Sequence, residues 1–109
     1  MNQLLFYISM NKFSQGDVIK VDGRKNYFLI VSNNTFICYT GMFHISPIVN
    51  DATKGPLHIE VICSDVCEGT AICEQIQLIN PEKVSCKKAG RLSYDQVMNI
   101  SDAIQGIFE

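Results

Sequence analysis

The sequence predicts a small domain of the α+β class in which β-strands dominate and one helix follows them. Short apolar segments separated by turn residues occupy the first three quarters of the 109 residues, a pattern typical of a β domain. After residue 93 the apolar residues recur every three or four positions, which predicts a helix. Strands followed by a closing C-terminal amphipathic helix indicate a mainly β barrel of the SH3-like type.

The first two strands are predicted to form a hairpin. Val18–Val21 alternates weakly between apolar and polar residues, and Tyr27–Val31 is a continuous run rich in aromatic and β-branched residues. Between them, Asp22-Gly23 supplies the residues that a tight turn with positive φ prefers. Asn33-Asn34 marks a second turn, and the apolar residues within Thr35–Thr40 predict a third strand after it.

Further strands are predicted downstream of residue 40. Phe43–Ile45 is a short apolar segment, and Pro47 is expected to end it. Leu57–Cys63 alternates apolar with polar residues, as a half-buried strand does. Ala71–Ile79 and a brief segment at Lys83–Cys86 complete the predicted β content.

Residues 93–108 carry the predicted helix. Ser93 stands where an N-cap residue is expected and precedes an acidic first turn. The apolar residues that follow share one helical face, and they are Val97, Ile100, Ile104 and Ile107 or Phe108. This apolar stripe can pack on the sheet of the same chain or on a second subunit, and the sequence leaves both arrangements open.

Composition limits the classes of function. The chain is 47% hydrophobic, which is enough for a single core. Its net charge is −2, so no overall positive field attracts nucleic acid. Two local basic clusters can still provide a binding surface, and they are Arg24 with Lys25, and Lys83, Lys87 and Lys88 with Arg91. No stretch has the roughly 20 apolar residues that span a bilayer, so we expect no membrane partner.

Five cysteines, at positions 38, 63, 67, 73 and 86, lie mostly in apolar segments. Buried free thiols that act as small hydrophobic side chains fit this placement, and reduced thiols indicate a cytoplasmic protein. The alternative is a metal site on Cys63 and Cys67, but structural zinc sites use four ligands and no second close pair is present. We therefore expect no metal, and the lack of a Gly-rich phosphate loop or a paired-His motif predicts no cofactor.

Several segments occur in an order and spacing that resemble a known family. They are Gly16-Asp17-Val18-Ile19, the Tyr27–Ser32 strand, Ser46-Pro47, Ala71–Gln75 and the terminal helix. Together they resemble the MazF/PemK/Kid toxins of type II toxin-antitoxin systems, which are compact barrels that cut messenger RNA. The resemblance implies a barrel domain over residues 16–109, a homodimer and an antitoxin peptide as partner.

The resemblance also implies that residues 1–15 are an N-terminal extension to the barrel. Met10 is an alternative start, so residues 1–9 are either an extension that is not part of the native chain or a native segment. If they are native, we expect an edge strand or a dimer contact rather than chemistry.

The catalytic positions that the resemblance implies are degenerate. Family toxins carry an Arg-Pro pair ahead of the second strand, where this chain has Asn26-Tyr27. They carry a catalytic Thr shortly after a Pro, where this chain has Val49, and a side chain without a hydroxyl cannot transfer a proton. Glu74 and Gln75 occupy the place of an Asp-Gln pair. They are interpreted either as a general base with a hydrogen-bonding partner or as solvent-facing polar residues.

Shifted residues can replace the missing groups if the loops bring them together. Candidate catalytic residues are Arg24 and Glu74, and candidate substrate-binding residues are Lys25, Asn26, Asn50, Thr53 and Gln75. His44 and His58 are assigned structural roles, because neither has a carboxylate beside it in the sequence.

Three functional hypotheses follow. The preferred hypothesis is a barrel of the toxin family whose ribonuclease activity is doubtful and which binds RNA, DNA or a peptide such as an antitoxin tail. The second is an active, metal-independent endoribonuclease that an antitoxin neutralises. The third is a small barrel with an unrelated role.

Overall fold

The computed structural model describes residues 12–108. The prediction that residues 1–9 add an edge strand or a dimer contact lies outside the described residues. The elements are β1 (Asp17–Val21), β2 (Tyr27–Ile30), α1 (Asn34–Thr40), β3 (Phe43–Val49), β4 (His58–Cys63), β5 (Cys67–Ile72), β6 (Gln77–Ile79), β7 (Cys86–Arg91) and α2 (Tyr94–Phe108). The mainly β fold with a C-terminal helix is therefore confirmed.

The strands form one antiparallel sheet that curls until its ends meet. The strand order is β4-β5-β3-β2-β1-β7, and β6 pairs separately with β3. The terminal strands approach each other where the Cys63 Sγ lies 3.7 Å from the Arg91 carbonyl oxygen. Gly90 permits this approach, because a Cβ atom there would lie 2.6 Å from the same sulfur. Within residues 12–108, β4 and β7 do not pair, so the sheet is a half-barrel whose ends approach each other at this point.

The predicted hairpin forms, and both of its faces are buried. In β1, Val18 belongs to one hydrophobic cluster and Ile19 to another. In β2, Leu29 packs in the cluster of Val18, and Phe28 packs in the cluster of Ile19. Helix α2 covers the first cluster with Ile100 and neighbouring side chains. Helix α1 and β6 cover the second. Burial on both faces explains why Tyr27–Val31 is continuously apolar rather than alternating.

The predicted third strand at Thr35–Thr40 is wrong, because this segment is helix α1. The Asn33 side chain caps it by accepting a hydrogen bond from the Phe36 N–H. Gly41 ends it with φ 69° and donates its N–H to the Ile37 carbonyl. The two capping residues outweigh the strand preference of the aromatic and branched residues between them.

Three predicted strand boundaries also change. Pro47 does not end β3, which continues to Val49 and pairs Pro47 with Phe28. The predicted Ala71–Ile79 strand is two strands, because residues 73–76 turn the chain from β5 to β6. The last strand begins at Cys86 and runs to Arg91, instead of occupying Lys83–Cys86.

Helix α2 confirms the C-terminal prediction. Its apolar stripe packs on the barrel of its own chain, where Ile100 is buried and Val97 and Ile104 contact the same cluster. The side chain of Gln96 reaches β4, accepts from the Ile62 N–H at 2.7 Å and donates to the Ile62 carbonyl at 3.0 Å. Within residues 12–108, no helix has the length and apolarity to cross a membrane.

Candidate functional site

A cleft of about 380 Å³ opens beside the β1–β2 hairpin, and we call it the site cleft. It is bounded by the hairpin, the middle of β3 and the segment that joins β5 to β6. This segment lies here because β6 pairs with the first half of β3, whereas β5 pairs with the other end. The lining residues are Arg24, Asn26, Phe28, Ile45, Pro47, Glu74, Gln75, Ile76 and Gln77.

The site cleft brings together four of the predicted site residues, which are Arg24, Asn26, Glu74 and Gln75. They come from two segments about fifty positions apart in the chain. Their side chains are exposed, whereas Phe28, Ile45 and Pro47 form a buried apolar base beneath them. The cleft therefore offers polar groups on an apolar floor, although the roles assigned to these residues stay predictions.

Arg24 is held at one wall of the site cleft. The turn that carries it has Gly23 at φ +81° and a hydrogen bond from the Arg24 N–H to the Val21 carbonyl. The guanidinium donates to the Gln77 Oε1 at 2.5 Å and lies 5.5 Å from the centre of the Phe28 ring. Only one of its terminal nitrogens contacts Gln77, so the group keeps donors for a phosphate or a base edge.

Glu74 forms an ion pair with His58, at 2.9 Å between the Glu74 Oε2 and the His58 Nε2. The other ring nitrogen of His58 contacts the Thr53 carbonyl oxygen. Both partners can only accept hydrogen bonds, so this geometry selects the imidazolium form with a proton on each nitrogen. The Thr53 carbonyl, followed by Glu74, raises the pKa of His58. The hydrogen bond from His58 lowers the pKa of Glu74.

Neither histidine has a carboxylate beside it in the sequence, but the fold brings Glu74 into contact with His58. The register of β4 and β5 pairs His58 with Ile72, which is two positions before Glu74. The alternation of β4 already places His58 on the polar face, but the contact follows only from the strand register. His44, by contrast, contacts the Ser32 hydroxyl at 2.7 Å and fits its structural assignment.

The structure does not bring the remaining predicted residues into the site cleft. Lys25 is not among the lining residues, and its carbonyl accepts from the Lys20 ammonium. Asn50 lines a different cleft of about 660 Å³, with Asp51, Glu60 and Glu68. Thr53 reaches the site through its backbone carbonyl, which contacts His58, and Val49 lies in β3 opposite Thr70.

Two residues of the predicted basic cluster near the end of the chain contact a buried carboxylate. Arg91 and Lys88 lie 2.9 Å and 3.3 Å from the carboxylate of Asp17, whose side chain is fully buried. This one carboxylate balances one of the two positive charges, so the three groups together keep a net charge of +1. In the described part of the chain, no group of three or more His, Cys, Asp or Glu side chains is arranged as a metal site.

These features define a small β-barrel protein with a polar cleft at the edge of its first hairpin. Residues 10–108 match the profile of the PemK-like, MazF-like toxin of type II toxin-antitoxin system. The chain therefore belongs to this toxin family, and the sequence-based resemblance is confirmed. Among curated proteins, none matches the chain.

Solved structures with a similar fold include MazF toxins. A chain of the MazE-MazF complex (Form-I) from Deinococcus radiodurans has a TM-score of 0.77 at 12% identity, covering 88% of this chain and 95% of that chain. An endoribonuclease in complex with its cognate antitoxin from Mycobacterial species has a TM-score of 0.75 at 19% identity, covering 88% and 94%. At these identities the likeness shows the fold.

Proposed function

We propose that this toxin-family barrel binds single-stranded RNA in the site cleft. The observation that carries the proposal is the convergence of Arg24, Asn26, Glu74 and Gln75 on one cleft. Side-chain amides can read base edges through paired donors and acceptors, and arginine binds phosphate or base edges with two parallel hydrogen bonds. The unpaired bases of a single strand present the edges that such groups contact.

Binding is tested by fluorescence anisotropy with labelled single-stranded RNA, with DNA of the same sequences as a second ligand. We expect Gln75→Ala and Asn26→Ala to weaken RNA binding, each by about 1–2 kcal/mol or roughly tenfold. Gln105→Ala is the matched control, because it removes an exposed amide on α2 outside the site cleft. An equal affinity for all three variants would exclude the cleft as the binding site.

A second candidate function, metal-independent RNA cleavage, is favoured by the His58–Glu74 pair. The Glu74 carboxylate would accept the proton of the 2′-hydroxyl while the 2′-oxygen attacks phosphorus. Protonation of Glu74 would release the Nε2 proton of His58 from the ion pair, and the 5′-oxygen would leave with that proton. Arg24 would stabilise the charge that develops on the phosphate oxygens. The pair supplies an acid and a base together, which offsets the absence of a hydroxyl at Val49.

Incubation of the purified protein with a long RNA in excess chelator tests cleavage. An active enzyme should yield fragments with a cyclic phosphate end, and His58→Ala and Glu74→Gln should each abolish them. The control is Glu68→Gln, which removes an exposed carboxylate that does not line the site cleft. RNA that stays intact with the wild-type protein would leave binding as the proposed function.

We also propose an antitoxin peptide as partner, since antitoxin complexes are among the structural neighbours. The family resemblance supports a homodimer as the proposed assembly. A dimer would have to use side chains other than the buried stripe of α2, because Ile100 is already buried against its own barrel. Exposed apolar residues on that helix include Met98 and Phe108. Light scattering at several concentrations measures the assembly, and a mass that stays at 12.2 kDa would contradict the dimer.

A further inference from the structure

A second cleft shares Arg24 with the site cleft and is rich in positive charge. It has a volume of about 360 Å³, and we call it the basic cleft. Its lining residues are Lys20, Val21, Asp22, Gly23, Arg24, Ser85 and Lys87. With three cationic side chains and one carboxylate, it carries a net charge of +2, although the whole chain has a net charge of −2.

Two of these cations are placed side by side by the strand register. Lys20 in β1 and Lys87 in β7 are direct cross-strand partners, so their side chains share one face of the sheet. Like charges at directly opposed positions destabilise an antiparallel pair. In contrast to Lys88, which contacts Asp17, neither ammonium group contacts a carboxylate within residues 12–108. An anion between the two lysines would remove this repulsion.

The cleft is also partly preorganised. The Lys20 ammonium donates to the Lys25 carbonyl at 2.6 Å and lies 4.7 Å from the centre of the Tyr27 ring, so its position is fixed. The Lys87 ammonium and the Ser85 hydroxyl have no hydrogen-bond partner in the part of the chain that the structure describes. These two groups are donors that remain available to oxygen atoms of a ligand.

Arg24 lines both the basic cleft and the site cleft. A strand of nucleic acid with its bases in the site cleft can therefore continue past Arg24 into the basic cleft. We infer that the basic cleft binds a backbone phosphate of the single-stranded nucleic acid, through Lys87, Lys20 and Ser85. This inference rests on the proposed RNA binding and adds a second contact region to it.

Asp22 is the one residue of the basic cleft that opposes this role. Its carboxylate lines the same cleft and is exposed. Replacing it by Asn keeps the shape and the preference for a turn but removes the negative charge. The inference therefore predicts opposite effects of two substitutions on the affinity for nucleic acid. Asp22→Asn should tighten binding, and Lys87→Ala should weaken it.

The test measures the salt dependence of binding by anisotropy, with labelled 2′-O-methyl RNA of random sequence and about 12 nucleotides as the probe. The 2′-O-methyl group prevents cleavage through the 2′-oxygen. Loss of one phosphate contact should reduce the slope of log K against log salt by about 0.7 in magnitude and weaken binding about fivefold at roughly 0.1 M salt. Lys12→Ala is the matched control, an exposed lysine that lines neither cleft.

A smaller slope for Lys87→Ala than for Lys12→Ala, together with tighter binding by Asp22→Asn, supports the inference. If the wild-type protein binds the probe but Lys87→Ala and Lys12→Ala have the same slope, the basic cleft has no such role and the site cleft can still bind RNA. If the wild-type protein does not bind the probe, both proposals are overturned. Thermal unfolding of each variant shows whether the fold is retained.

Discussion

At the scale of single residues, the His58–Glu74 ion pair joins two segments that are distant in sequence. His58 begins β4 and also contacts the Thr53 carbonyl, so it connects the preceding loop to the segment after β5. Glu74 is exposed and lines the site cleft. This contact therefore holds Glu74 at the wall of the site cleft and favours the charged forms of both side chains.

The stability that this pair contributes should depend on pH. The folded-state pKa of His58 lies above its ordinary 6.5, so its contribution is complete below pH 6.5 and is lost as the pH rises through the folded-state value. The folded-state pKa of Glu74 lies below its ordinary 4.5, so its contribution is present above pH 4.5 and is lost as the pH falls through the folded-state value. The pair stabilises most between these two ordinary values.

Urea unfolding of wild type and His58→Ala measures this dependence. We expect the stability difference between them to be larger at about pH 5.5 than at about pH 8.5. His44→Ala serves as the control, because His44 contacts a neutral hydroxyl rather than a carboxylate. A difference that does not change between the two pH values would show that folding does not raise the pKa of His58.

Asp17 is a buried charged residue that joins the beginning of β1 to β7. Its side chain has no exposed surface, and its carboxylate accepts hydrogen bonds from the Ser14 N–H and the Arg91 guanidinium, both at 2.9 Å. Asp17→Ala should lower the free energy of unfolding by about 2–3 kcal/mol, because donors that now bind a charged group lose their acceptor. Glu82→Ala removes an exposed carboxylate and should change it by less than about 0.5 kcal/mol. Equal effects in urea unfolding would contradict this.

The family resemblance implied Arg24 and Glu74 as candidate site residues, and both line one cleft. The sequence could not predict the contact of His58 with Glu74, because that distance is set by the pairing of β4 with β5. It also could not separate Asn50 from the other candidates, although Asn50 lines a different cleft with Glu60 and Glu68.

At the scale of elements, a structure that the local residue preferences favour can be predicted from the sequence. A structure that depends on a few capping residues or on pairing with a distant strand cannot. The β1–β2 hairpin is predictable because Asp22-Gly23 and the apolar strands favour the same structure. Helix α1 is hidden because its interior is rich in residues that favour strands, while only the Asn33 and Gly41 caps favour a helix. The extension of β3 beyond Pro47 is equally hidden, since it depends on pairing with β2.

Gln96 protects the exposed edge of the sheet at β4. Its amide satisfies the N–H and the carbonyl of Ile62, which point away from β5. Gln96→Ala should lower the free energy of unfolding by about 1–2 kcal/mol and increase hydrogen exchange at the Ile62 amide. Gln105, on the same helix, donates to the Ser101 hydroxyl, and Gln105→Ala should leave the Ile62 amide unchanged. Unaltered protection of Ile62 in the Gln96 variant would show that another group covers this edge.

At the scale of the whole molecule, the close approach of the two ends of the sheet depends on Gly90. A Cβ atom there would lie 2.6 Å from the Cys63 Sγ and 2.9 Å from the Val66 Cγ2. Gly90→Ala should therefore destabilise the protein by about 1–3 kcal/mol through overpacking. Gly106→Ala, which meets no atom within 4 Å, should have no such cost.

A double variant distinguishes this clash from a general effect of the substitution. Cys63→Ala removes the nearer of the two contacting atoms. Gly90→Ala combined with Cys63→Ala should therefore lose less stability than the sum of the two single variants, as measured by urea unfolding. Simple additivity would show that the ends of the barrel do not meet at this point.

The two-sided burial of β1 and β2 also constrains how this protein can evolve. Nearly every position in these strands contributes to one hydrophobic cluster or the other, so a library of substitutions there should return few folded members. New specificity must then arise in the connections, such as the turn at residues 22–26 and the segment at residues 73–76. Diversifying these two segments while keeping the strands fixed is the route we expect to yield variants with altered ligand preference.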